Sequence, residues 1–180
     1  MRVVVVTPPD PVVSYAEAVA RLRLAGGTDE QADVERMIAA ATELLDGPDG
    51  ELGRALGQQI LEARLDDFGR GRAIYLPCGP VAAIVSVKYL DTAGIEQTMP
   101  SSDYRLAGSH VSLRAGKSWP STADEPEAVT IRYDAGYEQV PANIISAILL
   151  ITGDQYKHRD SAPAISEAAN RLLRSRQVYA

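Results

Sequence analysis

The stretch VTIRYDAGYEQVPANIISAILLITGDQYKHR, residues Val129 to Arg159, contains the change of period around which the chain is organised. Val129, Ile131 and Tyr133 alternate with Thr130 and Arg132, the pattern of a strand with one apolar and one wet face. Asp134 to Tyr137 ends that strand. Pro141 then suits the first turn of a helix, where a missing N–H costs nothing, and Ile144, Ile145, Ile148, Leu149, Ile151 and Tyr156 recur at helical spacing. So broad an apolar surface predicts a helix covered on more than one side. One continuous segment therefore joins a sheet to a helical cluster.

Upstream, the helical side comes first. Ser14 followed by Glu17 is a capping-box pattern, and Ala16, Val19, Ala20, Leu22 and Leu24 predict a short inward face ending at Gly26-Gly27. Thr28 with Gln31 repeats the device. The second helix is expected to run to about Asp46, with Val34, Ile38, Ala41 and Leu45 on one stripe, broadened by Met37 and Leu44 and stopped by Gly47-Pro48. Leu52 to Leu56 is expected to add one further turn.

From Gln58 the pattern alternates. Leu61, Ala63 and Leu65 face one way and Glu62, Arg64 and Asp66 the other, and Ala73 to Leu76 reads as a strand returning through a hairpin at Gly69-Arg70-Gly71-Arg72. Arg70 and Arg72 read as solvated charges at its tip rather than a phosphate cradle. Val85, Val87 and Tyr89 alternate within a strand from Val81 to Leu90, and Ile95–Met99, Tyr104–Leu106 and Val111–Leu113 predict an antiparallel meander. After the long helix, Ala164 to Arg174 predicts a last short helix with Ala168, Leu172 and Ile165 inward. The fold class expected is α+β: helices at 12–57 and 138–176 with an antiparallel β module, 58–137, inserted between them in a single 180-residue domain.

The terminus MRVVVVTPPDP is too short in apolar residues for a signal-peptide core or a membrane span, which predicts a chain made and kept in the cytosol unless a particle carries it out. Val3 to Val6, cut off by Pro8, Pro9 and Pro11, reads as an extended arm, either disordered or adding to the sheet edge of a neighbouring subunit. The formal net charge of −6 and pI near 4.9 argue against wholesale nucleic-acid binding. The charge is uneven. From Lys157 onward five basic residues face two acidic ones, leaving +3 on the tail and −9 on the remainder.

A search for chemistry finds no GxSxG, no Walker phosphate loop, no dinucleotide fingerprint and no HExxH. Cys78 is the single cysteine, so a disulfide within the chain or a cysteine-based zinc site cannot form, and with no basic neighbour it reads as a small apolar filler. Asp154 and His158, four apart on the long helix, have a spacing used by metal and acid–base sites. Positive charge at a helix C-terminus also complements the macrodipole, and that reading is preferred. Asp66 and Asp67 are adjacent on a strand and point to opposite faces. His110 reads as a surface residue, and Trp119 as a core anchor or an intersubunit contact. No catalytic, cofactor or metal residue is assigned.

The order of these pieces is more informative than any one of them. Two capped helices, then LPCGPVAAIVSVKYLDTAGIEQTMPSSDYRL, then GKSWPS, then the opening stretch together resemble the head-tail connector, or adaptor, proteins of tailed bacteriophages and of phage-derived gene transfer agents, over Ser14 to Arg159. The resemblance implies a non-enzymatic structural protein without cofactors that forms a ring, twelvefold in the particle, under the portal protein. The ring would extend the DNA channel, which DNA passes without sequence-specific binding, and dock a tail-side connector or stopper protein. The acidic chain suits a lumen that repels phosphate. The C-terminal segment would reach the portal through Arg171, Leu172, Arg174, Arg176, Val178 and Tyr179. Assembly would take place in the bacterial cytoplasm, with no membrane involved, and the product would sit in the particle neck. A small metal-dependent hydrolase using Asp154 and His158 with Asp66 or Asp67, and a cytosolic ring-forming interaction module, are the alternatives. The acidic loop Asp124 to Glu127 has no role under any of these.

Overall fold

A computed structural model describes residues 1–23, 28–159 and 162–174. The chain is α+β and divides into two units, one built from Met1–Pro8 and Gln58–Gly136, the other from Pro9–Gly57 and Tyr137–Ala180. The opening stretch supplies the last strand of the first and the central helix of the second. Between them Gly136 adopts φ 116°, a conformation that side chains disfavour, and its N–H donates to Pro80 O at 2.9 Å.

The β unit contains two antiparallel sheets. In the larger, β1 (Arg2–Thr7), β2 (Gln59–Leu65), β8 (Val129–Ala135), β4 (Val81–Leu90) and β5 (Glu96–Thr98) lie in the order β1-β2-β8-β4-β5. In the smaller, β3 (Ala73–Tyr75), β7 (His110–Leu113) and β6 (Tyr104–Ala107) lie in the order β3-β7-β6. β8 is central because it is apolar on alternate positions throughout: Val129, Ile131, Tyr133 and Ala135 are buried. Their cross-strand partners Leu65, Ala63, Leu61 and Gln59 on β2 share that face. Tyr133 is fully buried and its hydroxyl donates to Pro77 O at 2.9 Å, so the phenol is satisfied inside an apolar layer.

Four expectations for this unit are corrected. The N-terminal valines are neither a loose arm nor an addition to another subunit: β1 pairs with β2 of its own chain, with Val3 opposite Ala63 and Val5 opposite Leu61. The prolines that follow only limit its length, and an edge position tolerates them. The hairpin through Gly69–Arg72 does not form, because both edges of β2 are taken by β1 and β8, so β3 pairs with β7 instead. The meander is split: β5 continues the larger sheet on β4, whereas β6 and β7 form a hairpin in the smaller one. In β4, irregularities between Val81 and Ala83 and between Ile84 and Ser86 break the alternation, so Ile84 and Val87 oppose Tyr133 and Ile131 while Val85 stands 49% exposed.

The helical unit packs α1 (Tyr15–Leu22), α2 (Thr28–Glu43), α3 (Ala142–Lys157) and α4 (Glu167–Leu173) around one core. Ser14 and Glu17 form the complete capping box, and Val13 just before it is buried in the same core as Ala18, as a hydrophobic staple requires. α1 turns Ala18 inward, with Tyr15 and Leu22 half-buried, whereas Ala16 and Ala20 are exposed. The expected Gly26-Gly27 stop and Leu24 lie outside the described residues, as does the Thr28 side chain expected to cap α2. Val34, Ile38, Ala41 and Leu45 form the buried stripe of α2 and its exit turn. α3 is covered on several sides, burying Ile144, Ala147, Ile148, Leu149, Ile151, Thr152 and Gly153. At Gly153 an added Cβ would stand 2.8 Å from Leu22 Cδ2, so small size lets α1 approach.

Leu52 to Leu56 forms no helical turn. Gly47 and Gly53 have φ 78° and 57°, and Asp46 Oδ1 accepts the Leu56 N–H at 2.6 Å, so the segment folds back as a compact loop. Leu52, Ala55 and Leu56 are nevertheless fully buried. The apolar signal was right and the period was not.

Candidate assembly surfaces

The residues singled out for chemistry are divided between the two units. Asp154 and His158 lie at the end of α3, where the His158 backbone N–H donates to Asp154 O at 3.0 Å, a helix-terminal contact. The cation that carries an interaction there is Arg159: it donates to Glu30 Oε1 at 2.9 Å, stacks over Tyr156 at 4.7 Å, and shares Glu30 with the Tyr156 hydroxyl at 2.8 Å. This cluster fastens the start of α2 to the end of α3. Asp66 and Asp67 belong to the β unit and spend one oxygen each on backbone: Asp66 Oδ1 accepts the Glu127 N–H at 3.0 Å, and Asp67 Oδ1 the Gly69 N–H at 2.5 Å. Among the described residues no group of three or more His, Cys, Asp and Glu side chains is placed to hold a metal ion.

Cys78 is buried, with φ 57°. Trp119 anchors its own unit: its indole stacks on Phe68 at 4.8 Å and donates to Gly71 O at 2.8 Å. Arg72 is no idle tip charge, since its guanidinium donates to Arg114 O at 2.9 Å and closes the end of the smaller sheet. His110 is exposed beside Tyr75, ring centroids 5.4 Å apart.

The polar face of the larger sheet carries a ladder of charges that sequence reasoning did not assemble. Arg2 on β1 donates to both oxygens of Glu127, at 2.7 and 3.0 Å. Arg64 on β2 reaches Glu127 at 3.1 Å and Glu62 at 2.8 Å, and Arg132 on β8 completes Glu62 at 2.7 Å. Glu62 and Arg132 are directly opposed in register, and Glu62 with Arg64, two apart on one strand face, is the link the alternation could have revealed. Glu127 ends the acidic loop in a left-handed conformation, φ 56°, and gives that end of the loop a part in fastening β1.

Burial pushes the Glu62 carboxyl up, but the hydrogen bonds from Arg132 and Arg64 outweigh it and hold the group below the usual carboxylate range. The guanidinium of Arg2, then that of Arg64, does the same for Glu127. A carboxyl lowered in the folded state contributes stability above its unfolded value, near pH 4.3, and loses it as pH falls through the lower folded value. The melting temperature should therefore decline on acidification below about pH 4.3, and more steeply for the wild type than for Glu62→Gln. Parallel acid limbs in the two proteins would show that Glu62 is not a stabilising anion.

The C-terminal positions expected to meet a partner are only partly free to do so. Ala169 and Leu173 form the inward face of α4, not Ala168 and Leu172, so the helix is rotated by one residue from the sequence reading. Leu172 is half-buried and its carbonyl accepts from Asn143 Nδ2 at 2.9 Å, Arg171 pairs with Glu167, and Arg174 is exposed. Arg176, Val178 and Tyr179 lie outside the described residues.

No protein-family model matches the chain, and no curated protein matches it. Among solved structures the chain is similar over its whole length to one in the neck of an empty gene transfer agent particle computed with C6 symmetry. The TM-score is 0.80 at 23% identity, covering 100% of this chain and 97% of that one. A chain in the virion of a native gene transfer agent particle gives 0.79 at 23% identity, and one in the native neck computed with C12 symmetry gives 0.70 at 22%, each with the same coverage. At this identity the likeness establishes a shared fold.

Proposed function

We propose that this chain is a structural head-tail adaptor of a phage or phage-like particle. In this reading it has no catalytic role and forms a ring, twelvefold in the particle, beneath the portal protein. The ring extends the DNA channel and docks a tail-side connector or stopper. It assembles in the bacterial cytoplasm, where the segment beyond the buried face of α4 reaches the portal through Arg171, Arg174, Arg176, Val178 and Tyr179. The observation that carries the reading is the end-to-end fold likeness, TM-score 0.80 over 100% of this chain and 97% of a particle-neck chain. A fragment or a shared supersecondary motif would have covered less of either chain.

Disruption of the gene in a producing strain tests the reading. DNA-filled heads without tails are the expected product, restored by the gene in trans. Normal tailed particles from the disrupted strain contradict it.

A further inference from the structure

The smaller sheet carries a surface to which the ring reading gives no task. Residues 69–78 and 100–120, which supply β3, β6, β7 and their flanks, hold Arg70, Arg72, Arg105, Arg114 and Lys117 against Asp103 alone. That is a local charge of +4 in a chain whose total is −6. All five cations are exposed. Lys117 pairs with Asp103 at 2.7 Å. Arg72 and Arg114 are held differently: Arg72 donates to Arg114 O at 2.9 Å and to Lys117 O at 3.4 Å, and Arg114 Nε to Tyr104 O at 3.1 Å. Carbonyl oxygens fix a guanidinium in place without cancelling its charge. On the larger sheet, by contrast, Arg2, Arg64, Lys88 and Arg132 each face a carboxylate. Among the described residues no carboxylate lies in ion-pair range of Arg70, Arg72, Arg105 or Arg114.

The same unit presents the opposite charge in the same uncancelled form. Asp66, Asp67, Asp124 and Glu125 line one depression with Thr122, Ala123 and Pro126. Asp66 and Asp67 are fixed by backbone N–H groups rather than by cations. Asp124 and Glu125 are exposed. The unit thus holds two surfaces of opposite sign, with Arg72 and Arg114 on one and Asp66 and Asp67 on the other held by neutral backbone groups.

A cyclic ring joins two unlike surfaces of one chain head to tail. Copies that each carry −6 repel one another at long range, and a contact of complementary charge offsets that repulsion and fixes the register of neighbours. We propose that the arginine cluster of the smaller sheet docks in the Asp66, Asp67, Asp124 and Glu125 depression of the adjacent copy. The inference rests on the ring reading given above and names the contact that closes the ring.

A charge swap in a producing strain tests it, with the amount of this chain retained in purified particles as the readout. Arg70→Glu with Arg105→Glu, and separately Asp124→Lys with Glu125→Lys, change exposed side chains, so each purified variant should melt as the wild type does. Each pair is expected to lower retention roughly tenfold or more, and the four substitutions together to restore it to within about threefold. Retention unchanged by either pair, or a fourfold variant as defective as its parents, overturns the docking while the wild-type chain is still found in the necks. Absence of the wild-type chain from purified particles overturns the ring reading and the docking with it. Salt-dependent capture of a 20-base-pair duplex by the purified chain, lost in Arg70→Glu/Arg105→Glu without rescue by the swap, reassigns the cluster to DNA phosphates and also overturns it.

Discussion

A chain ended at Asn170 should fail to hold its helical unit together and melt well below a chain ended at Arg174. Leu173 is 1% exposed and Ala169 fully buried in the core shared with Ile144, Ile148 and Leu45, and α4 is further tied to α3 by the hydrogen bond from Asn143 to Leu172 O. Emptying one buried leucine site costs about 2–5 kcal/mol, against a total stability of about 5–15 kcal/mol for an ordinary domain. Loss of Leu173 together with the half-buried Leu172 and the Asn143 partner therefore removes a large part of the margin. Circular-dichroism melts of the two truncations decide the matter, and equal melting temperatures would refute the assigned register of α4. The consequence for function is direct. A cut at Arg171 confounds folding with partner binding, so the proposed portal contact of the tail has to be tested by removing residues 175–180 alone.

Gly50→Ala should destabilise the loop that follows α2 far more than an alanine at other glycines of the chain with room for a Cβ. A Cβ there would stand 2.3 Å from Asp46 O, 2.4 Å from Leu45 C and 2.6 Å from Asp46 N, all of them backbone atoms. Those atoms cannot yield cheaply. The Asp46 N–H donates to Thr42 O at 2.8 Å, its carboxylate accepts the Leu56 N–H at 2.6 Å, and the Glu51 N–H donates back to Leu44 O at 3.0 Å. Leu45, Leu52 and Leu56, all at 0% exposure, depend on that path. Steric overpacking costs about 1–3 kcal/mol and occasionally more, and a fixed backbone puts Gly50 at the upper end. Gly71→Ala is the control, because its nearest contact would be an ordinary 3.5 Å to Ala73 O and its loss should stay within about 1 kcal/mol. Similar denaturation midpoints for the two variants would contradict the close approach at Gly50.

Local patterns carried much of this fold. The capping box at Ser14 and Glu17, the Val34–Ile38–Ala41–Leu45 stripe, the alternation in β8 and the broad apolar surface of α3 were legible because each depends on neighbours a few residues away. Pairing was less legible. Nothing in the sequence near Gly69 says that β2 already has a partner on each side, since one of them is β1, more than fifty residues earlier. The same distance hid the links from Arg2 and Arg64 to Glu127 and from Glu62 to Arg132, and with them the use of the acidic loop's last residue. A one-residue error in α4 was enough to exchange Leu172 for Leu173, because Leu172-Leu173 offers two apolar neighbours about 100° apart on a helix and the seven-residue segment is too short to discriminate. The proposed role was legible only from the order of elements, and it lacks an active site that a motif could have marked.

The most direct measurement is an electron-microscopic reconstruction of the neck of particles from a strain that produces this chain. The adaptor reading predicts density for a ring of this fold between the portal and the first tail-side component, traceable as this sequence by Trp119 stacked on Phe68 and by the buried Tyr133. A complete neck in which every ring is accounted for by other chains would contradict it.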